Sequence, residues 1–102
     1  MKNTIIIKGA SVIAITEMVK KYTENLKTVY INYYDLTAKM NNNFIFRDVE
    51  KDTEFIVIED CPYLRQIQWL LRADCIKINK KNKEPFTIKR PTIIIISNNL
   101  EL

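Results

Sequence analysis

The sequence predicts an α/β fold: one domain, residues 1–102, with a mostly parallel sheet, flanking helices and a β-hairpin insertion. Three observations lead there. Apolar β-branched runs alternate with segments of helical spacing, in the order β-α-β-(α)-β-α-hairpin-β. The runs at 4–8, 55–58 and 92–96 are almost wholly apolar rather than alternating, as strands covered on both faces are. A chain of 102 residues with 47% hydrophobic side chains and no linker, repeat or low-complexity segment suits a single core.

Taken in order, residues 4–8 read as a buried strand that Gly9 and Ala10 break. Ser11 is placed to cap a helix whose apolar positions Val12, Ile15, Met18, Val19 and Tyr22 share one face. Residues 27–33 form a second strand, rich in β-formers. Asp35 is placed to cap a short helix through Met40, and the Asn41, Asn42, Asn43 triplet reads as a turn. Residues 44–46 suggest a brief extended piece. The strand at 55–58 ends in Glu59 and Asp60, and Pro62 suits the first turn of a helix with Leu64, Ile67, Leu70 and Leu71 on one face. Residues 75–79 and 86–89 alternate around a polar 80–85, the pattern of a hairpin. After Pro91 the last apolar strand, 92–96, ends in Ser97, Asn98 and Asn99.

Composition limits the chemistry. There is no His, and the single Gly stands at position 9, which rules out His-based acid–base catalysis, His-ligated metal and a glycine-rich phosphate loop. Cys61 and Cys75 lack the spacing and partners of a structural zinc site and read as reduced packing thiols. No apolar run approaches membrane-spanning length and no signal-peptide pattern opens the chain, so a cytoplasmic protein without a membrane partner is expected. The net charge is +4, but it is unevenly spread. Between Ile76 and Pro91, Lys77, Lys80, Lys81, Lys83, Lys89 and Arg90 face only Glu84, a local +5 that leaves the remainder at −1. Such a segment is either a contact surface for an anionic partner or a solvated loop.

In open parallel sheets, ligands bind beyond the carboxyl ends of the strands. Lys8, the Glu59–Asp60 pair and Ser97–Asn98 fall there. Paired carboxylates at a strand tip can hold Mg²⁺ and orient a water, with an amide on the next strand contacting that water or a phosphate. The same pair is also an ordinary turn followed by a helix cap.

The run FIVIEDCP, a helix, CIKINKKNKEPFTIKR and then PTIIIISNN together resemble the C-terminal half of a superfamily-three helicase core. These are AAA+-like P-loop ATPases of phages, plasmids and mobile elements. The resemblance covers about half of the chain. It implies a Walker B strand at 55–60 with Glu59 and Asp60, a DNA-contacting hairpin at 76–89 and a sensor strand at 92–98 ending in Asn98. It also implies, ahead of these, a phosphate loop of the form GxxxxGK[ST]. Here that place reads Lys8-Gly9-Ala10-Ser11 and runs directly into a helix. The family's arginine finger and fifth strand are likewise not matched.

The expectation is a degenerate relative that binds rather than hydrolyses, without ATP or another cofactor. Its hairpin cations Lys77, Lys80, Lys81, Lys83, Lys89 and Arg90 would contact single-stranded DNA. Phe86 would either stack on a base or anchor the hairpin. The same degenerate relative would otherwise bind a helicase-like protein partner. Two alternatives stand beside it. One is an interaction or assembly module without nucleic-acid binding, its strands and hairpin forming a protein interface, with homodimerisation through an exposed edge strand. The other is a residual enzyme with Mg²⁺ at Asp60 and Glu59, Asn98 nearby, and Lys8 or Lys77 replacing the loop lysine.

Overall fold

The computed structural model describes residues 3–9, 11–38 and 44–97. Six strands and three helices follow in the order β1 (Thr4–Lys8), α1 (Val12–Thr23), β2 (Thr28–Asn32), α2 (Tyr33–Thr37), β3 (Phe55–Glu59), α3 (Gln68–Arg72), β4 (Cys75–Ile78), β5 (Phe86–Lys89) and β6 (Thr92–Ser97). A 3₁₀ turn, Arg65–Ile67, leads into α3. The fold is α/β, as the sequence predicts. β1, β6, β3 and β2 form a four-stranded sheet in that order with every pairing parallel, and β4 and β5 form a separate antiparallel hairpin.

The two central strands are the most apolar, and sheet order explains why. In β3 the residues Ile56, Val57 and Ile58 are fully buried, and in β6 Ile93 through Ile96 are no more than 2% exposed. Alternation divides them between two cores. Ile56, Ile58, Ile93 and Ile95 face a large cluster with Leu36, Phe46, Ile67, Leu70, Ile76 and Ile78. Val57, Ile94 and Ile96 face α1 through Ile15 and Val19. One sheet face is therefore covered by the hairpin, α2 and α3, and the other by α1. Ser11 caps α1 as its sequence position predicts, its Oγ accepting from the Ala14 N–H at 3.2 Å.

Several local expectations differ. β1 is not a buried strand: it lies at the sheet edge, with Ile5 and Ile6 41% and 45% exposed. Met18 and Tyr22, expected in the α1 core face, are exposed, although the Tyr22 ring meets Phe55 edge-on at 6.2 Å between centres. α2 begins at Tyr33, one residue after Asn32, and Asn32 rather than Asp35 is its cap, accepting from the Tyr34 N–H at 2.9 Å. Residues 44–48 make a tight turn instead of an extended piece, closed by Arg47 N–H to the Phe44 carbonyl. The helix after Pro62 starts later, at Gln68, behind the 3₁₀ turn. Met40, the Asn41–43 triplet and Asn98 lie outside the described residues, as does the side chain of Val12. Among the described residues, no helix is long and apolar enough to cross a membrane.

Candidate functional site

Parallel pairing brings the carboxyl ends of all four sheet strands to one border. Lys8 stands beside Ser97 in register, and Asn32 beside Glu59. Asp60 follows directly, in the left-handed backbone region at φ 59°. Asparagine, aspartate and glycine enter that region most readily, so the residue type suits the turn. The turn carries the chain past the tip of β6, where the Cys61 N–H donates to the Ile96 carbonyl at 3.3 Å. Cys61 is then fully buried, and that burial pushes its thiol pKa up.

Several groups at this border bond to one another. Asn32 donates through Nδ2 to Asp60 Oδ2 at 2.9 Å while its Oδ1 caps α2. The Gly9 N–H, where the family resemblance places a phosphate loop, donates to the Ser97 carbonyl at 3.2 Å and extends the β1–β6 ladder. Gly9 has a steric duty as well: a Cβ there would meet Ile15 Cδ1 at 2.8 Å. The single glycine thus lets α1 close onto the sheet. Among the described residues no group of three or more His, Cys, Asp or Glu side chains gathers to hold a metal ion. Asn32 is the residue of this border that sequence reasoning missed. Its signal was present, a polar residue ending an apolar strand just before a helix.

The second candidate surface is the hairpin. Register pairs Cys75 with Lys89, Ile76 with Ile88, Lys77 with Thr87 and Ile78 with Phe86. Alternation then sends Ile76, Ile78, Phe86 and Ile88 into the large core. Cys75, Lys77, Thr87 and Lys89 face outward and are exposed. The connecting loop holds a turn closed by Lys83 N–H to the Lys80 carbonyl at 3.3 Å. Within it Asn82 takes φ 62°, which asparagine tolerates. Phe86 packs against the core, with Lys51 Nζ 5.5 Å from its ring centre, so its observed contacts are those of an anchor.

The six expected cations separate into two groups. Lys80 is turned back on the body: its Nζ donates to the Arg47 carbonyl and to Glu50 Oε1 at 2.9 Å, and its side chain is 12% exposed. Lys80 beside Glu50 lowers that carboxyl's pKa, with smaller help from Lys83. Arg90 is also withdrawn. Its guanidinium donates to the carbonyls of Ala73 and Pro91, each at 3.2 Å, and to Thr4 Oγ1 at 3.5 Å, and burial lowers its pKa. Of the six expected contacts these two are engaged within the protein, by backbone carbonyls and, for Lys80, by a carboxylate, and act as braces. Lys77, Lys81, Lys83 and Lys89 remain exposed, and among the described residues none of them forms an ion pair.

The chain matches no protein-family model, and no curated protein matches it. Its fold has solved counterparts. An apo structure of the NrS-1 C-terminal region, in its A form, superposes with a TM-score of 0.60 at 16% identity, covering 98% of this chain and 24% of that one. Another apo structure of the same region gives 0.62 at 14% identity, covering 97% and 25%. The chain therefore spans about a quarter of the length of the structures it matches. At such low identity the likeness is one of fold alone.

Proposed function

We propose that this protein is a non-hydrolysing, helicase-like domain that binds single-stranded nucleic acid through the outward face and loop of the β4–β5 hairpin. One observation carries the reading. The apolar face of the hairpin is fixed in the core while Lys77, Lys81, Lys83 and Lys89 are exposed to solvent. A strand pair fixed on the core places Lys77 and Lys89 on one face, next to the loop that carries Lys81 and Lys83, and so gathers charge against phosphates. The strand-tip border supports binding over hydrolysis, because the Gly9 N–H, where a phosphate loop would begin, already donates to the Ser97 carbonyl. The likeness in fold to the NrS-1 region is compatible with this reading.

The test is titration of a fluorescent single-stranded oligonucleotide at low and moderate salt, with wild type and a variant carrying Glu at 77, 81, 83 and 89. The reading predicts salt-sensitive binding that the variant loses. Absence of binding at low salt, or equal binding by the variant, overturns it.

A second reading draws on a different observation, the apolar edge at β1. Ile5 of this edge strand, with Met18 and Tyr22 of α1 beside it, forms an exposed apolar surface suited to a homodimer or a protein partner. Sedimentation finding only monomer at high concentration would exclude the homodimer.

A further inference from the structure

A cavity of about 410 Å³ lies beside β4, between the hairpin, α3 and the end of α2. Its walls include Phe46, Gln66, Trp69, Cys75, Lys77 and Asn79. Trp69 is the single tryptophan of the chain and is 51% exposed, an unusual cost for so large an apolar side chain. Its ring leans on Phe46 at 6.5 Å between centres and 60° between planes, and is held from one side while still open to solvent.

The chemistry of the walls narrows the occupant. Among the described residues none that lines the cavity is acidic, and Lys77, which does line it, belongs to the exposed cationic face of the hairpin. Gln66 and Asn79 each offer an amide that both donates and accepts. An aromatic plane, two amides and an ammonium suit a planar heteroaromatic group attached to an anion. The volume falls within the ordinary range for small-ligand pockets.

We propose that this cavity receives one unpaired base of the single strand, stacked on Trp69, with Lys77 taking the phosphate next to it. The inference rests on the hairpin reading above and adds a base-contacting subsite to it. Stacking on an aromatic side chain is tolerant of sequence, so the subsite favours exposed bases without selecting among them.

The experiment uses the whole chain and two oligonucleotides of equal length and charge, oligo-dT and an abasic phosphodiester of the same length, each end-labelled. Binding is followed by anisotropy and by Trp69 fluorescence. The proposal predicts quenching by oligo-dT only, and about ten-fold weaker binding of the abasic strand. Trp69→Ala is expected to bind oligo-dT about as weakly as wild type binds the abasic strand, and Trp69→Phe to retain most of the affinity. Circular dichroism melts establish that each variant folds, and the abasic comparison needs no variant. Equal binding of both strands without quenching overturns the subsite while leaving the hairpin reading intact. Failure of both strands to bind at low salt overturns the two together.

Discussion

At the carboxyl border of the sheet, Asn32, Asp60 and the Gly9 N–H have partners within the protein; on the hairpin, four of six cations form no ion pair among the described residues. Both regions carry the residue types of a binding site. The difference lies in what surrounds each group. Asp60 has Asn32, and the Gly9 N–H has the Ser97 carbonyl. Lys80 and Arg90 likewise have buried or opposite-charge partners, so they belong with the strand tips in behaviour although they lie in the hairpin segment. Residue type nominates a site, but its available hydrogen-bonding and charge capacity decides what it can still bind.

The comparison sharpens most where Lys89 and Arg90 stand next to each other. Arg90→Ala strands the Ala73 and Pro91 carbonyls and removes charge-assisted bonds, an expected loss of about 2–3 kcal/mol of stability by denaturant unfolding. Lys89→Ala is an exposed change expected to stay within about 0.5 kcal/mol, yet to weaken oligonucleotide binding. Equal stability effects at the two positions would break the division into braces and contacts.

Asp60 offers the next test. Asp60→Ala loses the bond to Asn32 and puts an alanine in the left-handed region, costing about 1–2 kcal/mol together. Asp60→Gly loses the same bond but relieves the backbone, and is expected to be the more stable of the two. Neither change should alter oligonucleotide affinity, which a titration with folded protein checks.

Gly9→Ala is expected to cost less, about 1 kcal/mol, because the atom a Cβ meets is the flexible end of Ile15. A second change, Ile15→Val, should recover part of that loss in thermal melts.

The smallest effect is a pH dependence. Glu50 has its pKa lowered in the folded state, chiefly by its hydrogen bond from Lys80. Its contribution to stability is therefore present above the unfolded-state pKa and is lost as pH falls through the folded value. Acid titration of wild type and Glu50→Gln should show the wild type losing slightly more stability below the ordinary glutamate range. The pair is exposed on the Glu50 side, so added salt should shrink the difference.

How far the sequence foretold these features follows from how local their causes are. The Ser11 cap, the hairpin alternation and the apolar central strands each depend on neighbours within a few residues, and each was legible. The position of β1 was not. Its isoleucine run resembles that of β6, and only the order β1-β6-β3-β2 makes one an edge and the other a centre. Lys80 meets Glu50 thirty residues away in sequence, and Arg90 meets Thr4 at the far end of the chain, contacts that spacing does not encode. Trp69 reads as one more apolar residue near a helix until the hairpin is packed beside it. Asn98, the expected sensor residue, lies outside the described residues.

The central claim is that exposed hairpin lysines hold single-stranded nucleic acid by its phosphates. It is tested most directly by the slope of log affinity against log salt for oligo-dT. Each phosphate contact on a single strand contributes about −0.7, so four lysines predict a slope of about −3, falling by about 0.7 with each lysine replaced by alanine. A slope near zero, or one unchanged when Lys77, Lys81, Lys83 and Lys89 are all replaced, would contradict the account.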